Sequence, residues 1–178
     1  MAIITKLKSY ETKNKTTGQT NGRLVSLWNE NFTNYKPGQF YVVSCEPFEM
    51  KGAHNYPGKL DNFICLQGKV LFIVKGIKGK YEEFLLDAKN PEFLQIPAGE
   101  ASAHINIGVE TALVANICSP GWKEDVKDGE TDFGDYSWDS VIQTCEYEFE
   151  NVDDGIFSGK QFRKAYENLK RLKGQFEK

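Results

Sequence analysis

With 178 residues, 40% of them hydrophobic and 13% aromatic, the chain is long enough for one domain that buries roughly 70% of its unfolded surface without staples or metals. A net charge of −3, with lysine and arginine scattered until the last stretch, disfavours a nucleic-acid binder, which would show a basic face interleaved with aromatics. No window approaches the ~20 apolar residues of a membrane helix, and the start, MAIITKLKSYETK, lacks the apolar core of a secretory signal, which places the chain in the cytoplasm with no membrane partner.

Residues 2–9 can form a first strand, and the polar stretch 11–21 reads as a loop because it holds charge and glycine but almost no apolar residue. Residues 22–28 alternate as a half-buried strand, 29–38 make a polar excursion ending in the turn pair Pro37-Gly38, and 39–47 form a third strand. The next stretch, KGAHNYPGKLDNFICLQG from Lys51 to Gly68, places His54, one of 2 histidines in the chain, just before a strongly apolar run. Phe63-Ile64-Cys65-Leu66 reads as a buried strand, Gly68 as a turn and Val70-Leu71-Phe72-Ile73-Val74 as its partner in a tight hairpin. Such a hairpin holds His54 at the mouth of a β-barrel, where small molecules bind.

Residues 75–80 are a glycine-rich turn, 81–87 another strand and Asn90-Pro91 another turn. Residues 93–96, 101–107 and 111–117 then complete a series of short strands punctuated by Pro97-Ala98-Gly99 and Gly108, the pattern of an all-β sandwich or barrel. The acidic, aromatic stretch 119–138 has no period and reads as a long loop folded over the barrel. Residues 141–149 suit a late strand. From Ser158, a suitable cap, the pattern turns helical, with Phe162, Ala165, Tyr166, Leu169 and Leu172 on one face, a solvated basic face opposite, and Gly174 as a stop. Residues 1–150 are thus expected to form the β-barrel domain and 151–178 a C-terminal helical appendage. The four cysteines, Cys45, Cys65, Cys118 and Cys145, lie in or beside apolar runs without a CxxC pair, and read as buried reduced thiols.

Ile96-Pro97-Ala98-Gly99 followed by Asn106 resembles the second cupin motif, in which P-x-G precedes a histidine and a later asparagine; Ser102 stands at the histidine's place. The first cupin motif supplies H-x-H and a later glutamate, and here it is matched by His54-Asn55-Tyr56 with no corresponding glutamate. The resemblance therefore implies a double-stranded β-helix, the cupin jelly roll, with no metal and no cofactor. Within the cupins the chain is similar to the RmlC-like nucleotide-sugar branch typified by dTDP-4-dehydrorhamnose 3,5-epimerase. Asn21-Gly22-Arg23-Leu24-Val25 resembles that family's D-x-R-G-x-L opening, Lys51-Gly52-Ala53-His54 its R-G-x-H, residues 96–108 its I-P-x-G-x-x-H-G-F segment, and Tyr136-Ser137-Trp138 the Y-D-W of some members. The spacing from Lys51 to Gly68 instead resembles the sugar 3,4-ketoisomerases, with R-G-x-H-x-H and L-I-C-L-x-G.

Both branches remove a proton next to a ketone, which calls for a base, a group that stabilises the enolate oxygen, and an acid on the opposite side. The resemblance assigns the base to His54, whose imidazole suits the task, and brings Tyr56 to the second histidine's position. If Ser102 keeps the inward phase, His104 shares it, and His54 and His104 are expected to converge in one cavity. The family's other catalytic groups are replaced: Asp61 falls where its enolate-stabilising lysine would be, Ala115 at its tyrosine acid and Gln161 at the aspartate that orients the histidine. Lys51 and Arg23 are candidate contacts to a diphosphate, Asp61, Asn62 and Ser102 to the sugar, and Trp122, Phe133, Tyr136 and Trp138 to a base or sugar ring. The expectation is a homodimeric isomerase, an epimerase or ketoisomerase acting on a dTDP-linked keto-sugar in cell-surface polysaccharide synthesis. The alternative is a non-catalytic cupin that binds a sugar or nucleotide sugar.

Overall fold

The computed structural model describes residues 1–27, 36–121, 129–152 and 159–176. In chain order they form β1 (Ile3–Lys6), β2 (Ser9–Lys13), β3 (Thr20–Val25), β4 (Gln39–Cys45), β5 (Met50–Asn55), β6 (Asp61–Gln67), β7 (Lys69–Lys75), β8 (Tyr81–Asp87), β9 (Glu92–Ile96), β10 (Ala101–Asn106), β11 (Ala112–Cys118), β12 (Gly129–Glu130), α1 (Asp139–Glu150) and α2 (Gly159–Phe176). Two five-stranded antiparallel sheets, ordered β1-β9-β6-β11-β4 and β12-β5-β10-β7-β8, face one another as the walls of a jelly roll. The expected cupin double-stranded β-helix is the observed architecture.

The expected hairpin of residues 63–74 is not. β6 and β7 lie in opposite walls, and the chain crosses between them at Gly68, whose φ of +77° suits glycine. The reason is burial on both faces. Residues Asp61–Cys65 of β6 are all buried, so the strand carries no alternation that tells a hairpin partner from a strand on the facing sheet.

Alternation resolves the layers. Phe63, Cys65, Val70, Phe72, Val74, Leu86, Leu94 and Val114 meet between the walls. Ile73, Ala101, Ala103 and Ile105 point the other way, from the outer face of the second wall into a layer with Val141, Ile142, Cys145, Leu169 and Leu172 of the helices. The strand expected over residues 141–149 is therefore helix α1: Val141, Ile142 and Cys145 recur at a helical spacing and form its buried side. α2 bears the expected apolar face through Ala165, Leu169 and Leu172, with Phe162 and Tyr166 at its exposed margin, and runs through Gly174 to Phe176. Its basic face is exposed as expected, with Lys164 pairing with Glu46, Arg171 with Glu49 and the half-buried Lys173 with Glu146. The expected cap, Ser158, lies outside the described residues, as does Trp28. All four cysteines are free and buried. No described helix is long and apolar enough to cross a membrane.

The loop expected at residues 11–21 is largely a hairpin of β2 and β3. Asn14 closes its turn by accepting from the N–H groups of Thr16 and Thr17 through Oδ1. Both strands are exposed almost throughout, which is why they leave no apolar signal. A lone two-stranded hairpin is marginal in water; this one is tied down where Arg23 donates to the carbonyls of Ala88 and Lys89 at 2.7 and 3.0 Å. Arg23→Ala is expected to speed amide hydrogen exchange across residues 9–25 while lowering global stability by less than about 1 kcal/mol, measurable by exchange mass spectrometry and urea unfolding.

Candidate active site

β5 and β10 pair with His54 opposite Ser102 and Lys51 opposite His104, with an irregularity between. Side chains opposite one another in a ladder share a face, so Lys51, His54, Ser102 and His104 lie on one face. That face is the inner one: His104 stacks on Phe72 at 4.8 Å and reaches Phe63 of the facing wall at 6.3 Å. The irregularity falls at Gly52. Its φ is +95°, and a Cβ there would sit 2.7 Å from the Ser102 carbonyl oxygen, so only glycine lets β5 hug β10 and turn both Lys51 and His54 inward.

The facing wall contributes a second polar group at the same end of the roll. Asp61 opens β6, and β11 and β4 place Asn116 opposite Tyr41. Asn116 Nδ2 donates to Asp61 Oδ1 at 2.6 Å and to the Tyr41 hydroxyl at 2.8 Å. Lys59 reaches in from the 56–60 connection, with Nζ 3.2 Å from Asp61 Oδ1, 4.2 Å from the centre of the Tyr56 ring and 5.6 Å from that of Tyr41. Tyr56 in turn lies 5.9 Å from His54, ring to ring. A continuous set of groups, His54, Tyr56, Lys59, Asp61, Tyr41 and Asn116, thus spans the two walls where the connections 56–60 and 97–100 cross between them.

The environment sets the charge states. Burial disfavours the charge on Lys59, but Asp61 and Tyr41 outweigh it and hold the ammonium above its ordinary range. Tyr41 is raised, chiefly by burial, so the phenol keeps its proton. Burial, with Lys51 and His54 nearby, pushes His104 down to about 4 and keeps it neutral. His54 Nδ1 and His104 Nε2 are buried and meet no hydrogen-bond partner among the described residues. Among the described residues no cluster of three or more His, Cys, Asp or Glu side chains is placed to hold a metal ion.

Of the residues singled out from the sequence, His54, Tyr56, Asp61 and Ser102 are brought to this end of the roll, while His104 and the exposed Lys51, paired with each other, lie farther along β10 and β5. Others are not. Asn62, one residue beyond the inward Asp61, lies on the outer face, where it donates to the Ile117 carbonyl and accepts from Gln95. Arg23 is engaged at Ala88 and Lys89, near Gly68 at the far end of the roll. Tyr136 lies over the outside of the second wall, donating to Glu83 Oε1 at 2.5 Å, its ionisation raised by burial and by that carboxylate. Phe133 and Trp138 are buried in the helical layer, and Gln161 lies on α2, outside the roll. Trp122 lies outside the described residues. Lys59, Tyr41 and Asn116 were not found from the sequence. Tyr41 could have been, since Tyr41, Val43 and Cys45 alternate into the core, and Asn116 is the inward neighbour of Ala115, where the family's tyrosine was sought.

A closed antiparallel roll with an imidazole on one inner wall and a phenol on the other has the fold of the RmlC-like cupins. Within that class the chain belongs to the family described as FdtA: WxcM-like, C-terminal, whose model matches residues 6–138. Among solved structures it is similar to a dTDP sugar isomerase from Desulfovibrio desulfuricans G20, at TM-score 0.63 and 15% identity over 85% of this chain and 92% of that one. It is similar too to a dTDP-4-dehydrorhamnose 3,5-epimerase from Sulfolobus tokodaii, at 0.65 and 18% over 78% and 81%. A third is the dTDP-6-deoxy-D-glucose-3,5-epimerase of Legionella pneumophila Philadelphia 1 in complex with dTDP-4-keto-L-rhamnose, at 0.62 and 14% over 74% and 73%. No curated protein matches.

Proposed function

We propose that the chain is an isomerase that removes and returns a proton next to the ketone of a nucleotide-linked keto-sugar, as an epimerase or ketoisomerase. The observation that carries this reading is the placement of His54 and Tyr41 on opposite inner walls with the Lys59 ammonium near the phenol ring. His54 takes the proton from the carbon beside the ketone, and the electron pair moves onto the carbonyl oxygen. Lys59 stabilises the resulting enolate, the task for which Asp61 is unsuited, and Asp61 holds Lys59 in place. Tyr41 gives its proton to carbon from the other side, which inverts the centre, and both groups are reset from solvent.

The likeness in fold to enzymes named for dTDP sugars and for a 4-keto-6-deoxy sugar supports a dTDP-linked 4-keto-6-deoxy sugar as substrate, and we place the reaction in cell-surface polysaccharide synthesis. Lys51 and Ser102, inward on β5 and β10, are placed to meet it. The free buried thiols suit a reducing cytoplasm, and exposed Phe40 and Val42 on the edge strand β4 favour a homodimer. The test is incubation with such a sugar in heavy water. Deuterium is expected at the carbon next to the ketone. Thermal stabilisation by the sugar with no deuterium incorporated would overturn the reading and leave a sugar-binding cupin without turnover.

A further inference from the structure

We infer that Asn116 is a positioning residue that turns the proton of the Tyr41 phenol out of the wall and into the roll, toward the sugar. The inference rests on the reading of the site given above. Asn116 is fully buried, and its amide is engaged at both ends. Oδ1 accepts the backbone N–H of Asn62 at 3.0 Å, while Nδ2 donates to Asp61 at 2.6 Å and to Tyr41 at 2.8 Å. A backbone N–H can only donate and a carboxylate only accept, so both fix the amide in this orientation; a flip would set like against like on each side.

The consequence falls on Tyr41. With Asn116 as donor, the phenol oxygen is an acceptor, and its single proton points elsewhere. No described residue accepts it. The ammonium of Lys59 cannot, and Asp61 meets the phenol through charge alone, its Oδ1 taking Asn116 and Lys59. Lys59, Asp61 and Cys118 are the titratable groups that face the phenol. An asparagine here therefore does what an aspartate would undo: a carboxylate at 116 would draw the phenol's proton back into the wall.

The experiment compares wild type, Asn116→Asp, Tyr41→Phe and their combination. It reads kcat and KM for deuterium wash-in, and follows the Tyr41 phenol by carbon-13 tyrosine resonance, assigned through Tyr41→Phe. In Asn116→Asp, kcat is expected to fall at least about 10-fold with KM changed less than about 2-fold. The phenol's ionisation moves upward, and Tyr41→Phe combined with Asn116→Asp is no slower than Tyr41→Phe alone. Because Asn116→Asp puts two carboxylates side by side in a buried wall, the exchange of Asp61→Asn with Asn116→Asp serves as a second variant. It keeps one carboxylate and one amide, and the same result is expected. Unchanged kcat, an unmoved phenol titration, or losses that add to those of Tyr41→Phe overturn the inference. A wild-type protein that incorporates no deuterium, while the phenol still shifts in Asn116→Asp, overturns the functional reading instead.

Discussion

His54→Gln is expected to slow deuterium wash-in by about 10²- to 10⁴-fold with little change in KM, because general base catalysis contributes on that order and glutamine cannot carry the proton. Glutamine fits the space and can offer a donor and an acceptor on β5, so binding contacts at that position survive while the chemistry does not. The geometry explains why no neighbour takes over. His104 shares the inner face but is buried deeper, against Phe72 and Phe63. Tyr56 offers a phenol, a poor base near neutrality, and Tyr41 stands on the opposite wall, where it can serve the other face of the sugar but not this one. Rates from single-turnover wash-in separate the chemical step from product release. A variant within a few-fold of wild type would remove His54 from the role of base.

How far the sequence discloses this fold depends on what each segment buries. β4 and β7 to β11 are legible because Gly and Pro mark their ends and their runs are short. The β6–β7 crossing is not, since a strand buried on both faces reads alike whether its successor pairs with it or faces it across the core. The β2–β3 hairpin is invisible for the opposite reason: with both faces in water, nothing selects apolar residues. α1 misleads through composition. Val141, Ile142, Tyr147 and Phe149 favour strands individually, and only their helical spacing shows how the segment packs.

The site divides along similar lines. Period two carries His54, Ser102 and His104 to a common face, because one known inward residue fixes the others on paired strands. The same rule removes Asn62: one residue beyond Asp61, it faces outward. It also accounts for Asn116, which sits one place past Ala115 and is therefore the inward member of that pair. Lys59 is harder to foresee, since it comes from a Pro-Gly-Lys connection rather than a strand, and only the crossing of the walls directs its ammonium to Asp61 and the two tyrosine rings.

Acidification from pH 7 to pH 4 is expected to remove about 3 kcal/mol of stability through His104 alone. In the folded chain its imidazole is held down to about 4, first by burial and then by Lys51 and His54 on β5; in the unfolded chain it titrates at about 6.5. Between those values the unfolded state binds the proton and the folded state does not, so the stabilisation is complete above about 6.5 and is lost as pH falls toward 4. His104→Phe places a ring against Phe72 and Phe63 without a titrating group, so its urea-unfolding free energies should lack this component, and the wild-type-minus-variant difference should change by about 3 kcal/mol across the range. Parallel curves would show that the imidazole is hydrated or paired in the folded state. The same burial bears on the proposed mechanism: an imidazole that stays neutral at working pH cannot hold the abstracted proton, which leaves that task to His54.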